Sequence, residues 1–325
     1  MNPSIKTVSL LLFLAALVFF PLTGIKFYTY LLTECFIYSM VAVSYYLLLG
    51  HTGLMSFGHA ALFGAGAYTA AILLTNFSGL PVIPAVFIGG FSGLLCGFLI
   101  GLLVLRLTKI YLAFGTLALS QMLWAVAWKW RSLTGGDDGL SGWSMRQVTF
   151  PGLAPFSLTS IYFLYYLVLL FAVVSIVFCW FLTRTPLGEA LSGIRSNRNR
   201  ADFLGINVNQ AKLLAFGFSG LIAGLSGALF ILFKKTVSPD CLNMSTSFDI
   251  LIISVIGGYA NFAGPVVGSF IYVYLVEYLS SFTERWQLLM GTFFVLLVLF
   301  YPGGVVGMVQ QFLNRIPFLN RKGEA

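Results

Sequence analysis

The chain has 325 residues, of which 59% are hydrophobic and 9% are charged, and its formal net charge is +8. No soluble core needs so much apolar surface, and apolar runs of about 18 or more residues recur along the chain, which is typical of a polytopic α-helical membrane protein. The basic residues lie at the ends of these runs and in one loop, so the positive charge indicates membrane topology and argues against nucleic acid as a partner.

The apolar runs predict an all-α fold in which residues 1–325 form a single transmembrane domain. The candidate spans are residues 8–24, 27–49, 56–75, 82–105, 111–130, 160–183, 213–233, 247–260, 262–280 and 285–301. The run 8–24 also has the length of a signal peptide, but it lacks a small-x-small cleavage site, so we interpret it as a first span. Because 56–75 is rich in glycine and 247–260 is short, either is a candidate for a broken or re-entrant helix, and we expect about 8–10 transmembrane helices.

Two long loops separate these spans, and the positive charges predict their sides. With ten spans, both termini lie on the side of loop 184–212, which carries more Lys and Arg residues than the other side. We therefore expect cytoplasmic termini. The loop 131–159 is then external, and its turn-rich stretch TGGDDGLSGW presents the carboxylates of Asp137 and Asp138.

The loop 184–212 has the pattern of a short amphipathic helix at the membrane face. Its apolar residues near helical spacing are Leu187, Ala190, Leu191, Ile194, Ala201 and Leu204. Pro186 suits the first turn of such a helix because its missing N–H needs no partner there. A solvated loop that its arginines hold on the cytoplasmic side explains the same residues.

One apolar pattern occurs twice. GFSGLLCGFLIGLLVL (90–105) is similar to GFSGLIAGLSGALFIL (217–232), and the predicted spans run these two segments in opposite directions across the bilayer. Inverted repeats are common in transporters, so the similarity of these two segments is consistent with an inverted repeat. Packing of small residues between helices is the alternative explanation.

The sequence lacks G-x-x-x-x-G-K-[ST], H-E-x-x-H and any Cys/His cluster, so we expect no nucleotide, metal or other cofactor on this chain. The acidic residues Glu34, Asp249 and Glu277 lie near span ends, which leaves the centre of the bilayer nearly without ionisable groups. A proton-coupled carrier usually needs such a group. A passive channel or a subunit driven from outside itself therefore fits, and a stand-alone secondary carrier or channel stays open as an alternative.

An intramembrane serine protease is the one enzymatic alternative. Rhomboid-like proteases resemble this chain in placing G-x-S-G within a transmembrane helix, as at 90–93, 217–220 and 224–227. The nucleophile would still need a base, and both histidines here lie upstream of every such serine. We expect no catalytic residue, because Gly and Ser at these spacings are typical of helix packing.

The stretch GHTGLMSFGHAALFGAGAY (50–68) contains five glycines and both histidines of the chain. Each interior glycine weakens a helix by about 1 kcal/mol relative to Ala. A membrane tolerates this only where the freed backbone is buried in protein or lines a cavity. Close helix packing explains the pattern, and so does a broken helix beside a solute path. The candidate residues for such a translocation pathway are Thr52, Ser56, Gly58, His59 and Gly64.

Several segments resemble, in the same order, segments of the permeases of branched-chain amino-acid ABC importers. They are GLMSFGHAALFGAGAYTAAIL (53–73), LRLTKIYLAFGTLALSQMLW (105–124), TGGDDGL (134–140), LGEALSGIRSNRNRADFLGINVNQAKLLAFGFSGLIAGLSGAL (187–229), VSPD (237–240), GGYANFAGPVVGS (257–269) and YPGGVVG (301–307). The resemblance covers roughly residues 30–307 and favours the subfamily with a TGG-x-DGL external loop.

The resemblance implies a permease subunit in the bacterial inner membrane that works with several partners. These are a second, paralogous permease subunit, two cytoplasmic ATPases that hold the ATP and Mg²⁺, and a periplasmic binding protein that docks near Asp137 and Asp138. The cargo it implies is a branched-chain amino acid, and permeases for urea or short amides look similar.

In such permeases a cytoplasmic segment matching residues 187–206 couples to the ATPases. The residues of this chain that match or flank the coupling motif are Gly188, Glu189, Ala190, Ile194, Arg195, Asn197 and Arg198. The chain departs from the pattern at Glu189, where a basic residue is usual, and at Ser196, where an acid is usual. These two changes put any specific ion pair with the ATPase in doubt.

Overall fold

The computed structural model describes residues 17–77, 80–107, 109–143, 161–301 and 303–315. Residues 8–16 of the predicted first span and residues 144–159 of the predicted external loop lie outside this description. Within it, the chain is almost entirely helical and contains two strands of two residues each, which confirms the all-α prediction.

The main helices are α1 (Lys26–Tyr46, continued by a π-helical turn, Leu47–His51), α2 (His59–Asn76), α3 (Val82–Val104), α4 (Lys109–Lys129), α5 (Ile161–Thr183), α6 (Pro186–Ser196), α7 (Arg198–Phe203), α8 (Val208–Lys234), α9 (Met244–Gly257), α10 (Gly264–Phe282), α11 (Trp286–Phe300) and α12 (Gly304–Arg315). Short helical turns lie at Phe20–Thr23, Arg131–Thr134, Gly136–Asp138 and Pro239–Leu242. The strands β1 (Leu140–Ser141) and β2 (Thr236–Val237) pair in antiparallel orientation.

Six described helices are long and apolar enough to cross a membrane. They are Lys26–His51, Val82–Val104, Ile110–Lys129, Ile161–Thr183, Val208–Lys234 and Gly264–Phe282. The bent pair Trp286–Phe300 and Gly304–Phe312 would make a seventh. The predicted runs 56–75 and 247–260 correspond to the shorter helices α2 and α9, and both begin at a break in the chain. The chain is therefore a multi-pass membrane protein.

The most extensive contact between described helices is that of the antiparallel pair α3 and α8, which carry the two similar segments 90–105 and 217–232. Gly93 and Gly220 occupy the same position in the two segments, and a methyl group on either would collide with the backbone oxygen of the other. Gly97 likewise lies against the backbone of Phe216, and Gly224 against that of Gly89. The contact is therefore symmetric about Gly93 and Gly220: the eighth residue of each segment meets the residue that precedes the other segment. Small residues allow this close approach of the two backbones, and they also make the contact symmetric.

Two breaks in the chain meet inside the bundle. After His51 the chain is non-helical until α2 begins, and the N–H of Ala60 there donates to Ser247 Oγ of α9 at 3.0 Å. His59 Nε2 lies 3.0 Å from Ser219 Oγ, which in turn donates to the Ser44 carbonyl at 2.9 Å. These bonds place the start of α2 level with Ser44 of α1. Because Ser44 precedes His51 by seven residues, this level lies about 10 Å along the helix axis from the end of the π-helical turn. The runs 56–75 and 247–260 thus correspond to continuous helices that each begin after a break, and a re-entrant course for either stays a prediction.

Candidate functional site

The first candidate region is the break between α1 and α2, where neighbouring helices hold several polar groups, whereas the buried His59 Nδ1 makes no hydrogen bond among the described residues. The N–H of Phe57 donates to Thr116 Oγ1 of α4 at 3.0 Å. Since Ser219 Oγ already donates its hydrogen to a carbonyl, it accepts from His59 Nε2, which places the imidazole proton on Nε2. Side chains of α4 and α9 therefore hold the freed backbone, and Ser219 of α8 holds the imidazole of His59.

The five predicted pathway residues are all buried within this chain. Thr52, Ser56 and His59 are at most 3% exposed. A methyl group on Gly58 would lie 2.8 Å from the backbone oxygen of Thr116, and one on Gly64 would collide with the side chain of Leu242. In this conformation the residues serve helix packing, and their part in a solute path stays a prediction.

The predicted coupling segment forms two helices rather than one. Pro186 stands in the first turn of α6, as expected, but α6 ends at Ser196. Asn197 then caps α7, because its Oδ1 accepts the N–H of Arg200 at 3.1 Å. This cap resets the helical periodicity. Leu191, Ile194 and Ala201 are buried, whereas Leu204 is exposed, so these apolar residues do not share one buried face.

The α6 helix is attached to the break through Arg195. Its guanidinium donates to the carbonyl oxygen of Gly50, near the end of the π-helical turn, and its aliphatic part packs on Gly53. Carbonyls in the last turn of a helix lack helical partners, and a cation beside them is favourable. His51 Nε2 lies 3.5 Å from the carbonyl oxygen of Thr183, the last residue of α5. The Arg195 contacts thus join α6 to the segment that precedes α2.

The other predicted coupling residues divide between the two faces of α6. Gly188 is buried against the backbone of Thr183, where a side chain would collide with the carbonyl, and Ile194 is also buried. Ala190 and Arg198 are half-buried, and Glu189 and Asn197 are exposed. The sequence pattern thus includes buried residues, which pack α6 against the rest of the chain, and exposed residues, which a partner protein could contact.

The most exposed apolar residues of this region were not among the predicted site residues. Phe203 is 92% exposed and Leu204 is 75% exposed, at the end of α7. The stretch DFLG, with two large apolar residues beside a glycine in a charged loop, is the signal that would have indicated them. Exposed apolar side chains of this size mark interaction surfaces.

The predicted external loop lies at the opposite end of the bundle from α6. Thr134 Oγ1 donates to the Ala127 carbonyl at 2.6 Å, which anchors the loop to the end of α4. Gly139 has φ +69° and lies against the Val237 carbonyl, so only glycine fits where the loop joins β2. Asp137 and Asp138 stand in an exposed 3-10 turn between these anchors. The loop therefore presents two carboxylates on a fixed support.

Comparisons with known proteins agree with this architecture. Residues 27–300 match the model of the family described as branched-chain amino acid transport system / permease component. The chain is 29% identical over 301 residues to the high-affinity branched-chain amino acid transport system permease protein LivM of Escherichia coli (strain K12), covering 87% of this chain and 70% of the relative. The LivM protein of Salmonella typhimurium matches to the same extent.

A second group of relatives carries a different name. The autoinducer 2 import system permease protein LsrC of Enterobacter sp. (strain 638) is 29% identical over 222 residues, covering 64% of this chain and 58% of the relative. No solved structure matches the chain. The extent of the family match nevertheless decides the assignment: this chain belongs to the family of permease components of branched-chain amino acid transport systems.

Proposed function

We propose that this chain is the membrane-spanning permease subunit of an ATP-driven importer in the bacterial inner membrane, and that its cargo is a branched-chain amino acid. Its family and the names of its LivM relatives support the transport role and this cargo. The observation that carries the mechanism is the bond from Arg195 to the Gly50 carbonyl, because it joins the surface helix α6 to the broken span.

The proposed working cycle uses the two ends of the bundle separately. Two cytoplasmic ATPase subunits, which bind ATP and Mg²⁺, engage α6 and α7 of this chain and of a paralogous permease partner. Closure of the ATPases moves α6, and the attached segment 50–58 follows it, so that packed helices switch between two arrangements. At the other end, a periplasmic binding protein docks against Asp137 and Asp138 and releases the solute. In this scheme the chain itself is not an enzyme.

Autoinducer 2 is the alternative cargo that a specific observation favours, namely the match to LsrC permeases. Urea and short amides are further cargoes of this solute size. The scheme for α6 is the same for each of them, so the cargo needs a test of its own.

Uptake by cells separates these cargoes. The complete importer, encoded by this gene with its neighbouring ATPase, permease and binding-protein genes, is expressed in a strain that lacks its own leucine importers. We expect saturable uptake of labelled L-leucine that isoleucine and valine inhibit and that urea, acetamide and autoinducer 2 do not. Uptake of one of the latter three without uptake of leucine would refute the proposed cargo while leaving the importer class intact.

A further inference from the structure

The end of the bundle opposite α6 holds a cavity of about 260 Å³ that the coupling scheme does not use. It lies between α1, α2, α8 and the segment that leads from β2 into α9. Its lining combines aromatic rings with polar groups of both signs: Tyr38, Phe63, Phe230, Lys234, Asp240 and Thr246. The volume lies just below the range typical of drug-sized ligands, so it suits a small solute.

Lys234 supplies the positive charge of this cavity. Its Nζ lies 2.9 Å from Glu34 Oε1 and donates to the Tyr30 hydroxyl at 3.3 Å. The ring of Phe233 lies 5.1 Å from the same atom. An ammonium has three donors, and these contacts use two of them. Across the part of the chain that the structure describes, the third N–H makes no hydrogen bond, so it can bind an anionic group at the cavity wall.

Asp240 supplies the negative charge. Its Oδ2 accepts from Ser238 Oγ at 3.1 Å, and its backbone carbonyl accepts from Thr246 Oγ1 at 2.7 Å, so the turn that carries it is fixed. Across residues 17–315, as far as the structure describes them, Asp240 forms no salt bridge. A carboxylate has about four acceptor sites, so most of this one's capacity stays free for a ligand with hydrogen-bond donors.

Charges of both signs next to aromatic faces match one class of solute. An α-amino acid carries an ammonium and a carboxylate on the same carbon, and a charge that leaves water is costly unless it is paired. Asp240 and the aromatic faces suit the ammonium, the free N–H of Lys234 suits the carboxylate, and Phe63 and Phe230 suit an apolar side chain. A neutral solute such as urea offers neither charge.

We propose that this cavity is a transient binding site, within the permease itself, for a zwitterionic α-amino acid with an apolar side chain. The proposal rests on the proposed function, because it assumes that an amino acid crosses this chain. It adds a selective step that is independent of the binding protein.

The test measures equilibrium binding of labelled L-leucine to the assembled importer in nanodiscs, with the binding protein omitted. The wild-type complex is compared for three ligands: L-leucine, leucinamide, which lacks the carboxylate, and 4-methylpentanoate, which lacks the ammonium. We expect saturable leucine binding, and affinities about 10- to 100-fold lower for each analogue, because each loses one charge-assisted contact.

Two variants locate the binding. Asp240→Asn keeps the shape of the side chain and is expected to weaken leucine binding by a similar factor. Glu284→Gln removes an exposed carboxylate from the loop between α10 and α11 at the same end, away from the cavity, and is expected to have no effect. Since the analogue series needs no variant, the proposal remains testable even if Asp240→Asn does not assemble.

The outcomes separate the two proposals. If the importer takes up leucine with ATP, but its complex binds leucine and both analogues equally, or if Asp240→Asn binds leucine like Glu284→Gln, the cavity proposal is wrong and the proposed function stands. If the complete importer takes up no amino acid at all, the proposed function itself fails.

Discussion

Replacing Arg195 by Ala removes a side chain whose hydrogen bond joins α6 to the end of α1. A hydrogen bond to a charged group contributes ~1.5–3 kcal/mol. Because Arg195 is exposed to solvent, we expect only about 1 kcal/mol of this to appear as lost fold stability. The variant should therefore fold, insert and bind its partners.

The larger effect of Arg195→Ala is expected on transport. A link of about 1–2 kcal/mol corresponds to a factor of about 5–30 between the attached and detached arrangements of α6 and residues 50–58. Leucine uptake by the complete importer should fall by about that factor, while the ATPase subunits still copurify and hydrolyse ATP. Leucine uptake by the Arg195→Lys variant should lie between that of the wild type and that of Arg195→Ala, since lysine keeps the charge but lacks the planar set of guanidinium donors.

The matched control is Arg106→Ala, which removes another exposed arginine at the same end of the bundle. It should transport like the wild type. Wild-type uptake by Arg195→Ala would refute the linkage, and so would a loss of uptake that is fully explained by loss of the ATPase subunits from the purified complex.

Three further results are expected. Gly93→Ala should destabilise the fold by about 3 kcal/mol or more, because its methyl group would collide with the backbone of α8, and should therefore lower both the midpoint of thermal unfolding in detergent and the amount of protein in the membrane. Gly291→Ala, where a methyl group meets open space, should change neither quantity. Equal stabilities of the two variants would contradict the α3–α8 contact. Phe203→Asp should weaken binding of the ATPase subunits by about 2 kcal/mol or more, so that less ATPase copurifies, without affecting membrane insertion. Full copurification would show that Phe203 does not contribute to ATPase binding. Neutralising Asp137 and Asp138 to Asn should raise the concentration of binding protein that gives half-maximal stimulation of ATPase activity, most strongly at low salt, and an unchanged value would remove them from the docking surface.

Hydropathy was sufficient to predict the long helices of the bundle, because each of them depends mainly on local composition. The composition of residues 50–68 also indicated a break, since five glycines cannot be distributed over nineteen membrane residues without weakening the helix. The predicted spans placed the two similar segments 90–105 and 217–232 on helices of opposite direction, and Gly93 and Gly220 lie where these two helices touch. In these cases a local pattern and the tertiary packing agree.

What the sequence could not show depends on contacts between distant residues. The bond from Arg195 to Gly50 joins positions 145 residues apart, and the one from Ala60 to Ser247 joins positions 187 apart. No periodicity within a helix reports such pairs. The separation of Leu204 from the other apolar residues of this segment has a more local cause, because one capping residue, Asn197, interrupts the helical register. The burial of the predicted pathway residues likewise arises from neighbours on α4, α8 and α9.

The central claim is that separate ATPase subunits drive transport by moving α6. The most direct test reconstitutes the purified permease pair into liposomes, with and without the ATPase subunits, and measures leucine accumulation against a gradient in the presence of binding protein. The account predicts accumulation only when both the ATPases and ATP are supplied. Accumulation by liposomes that contain this chain without any ATPase would contradict it.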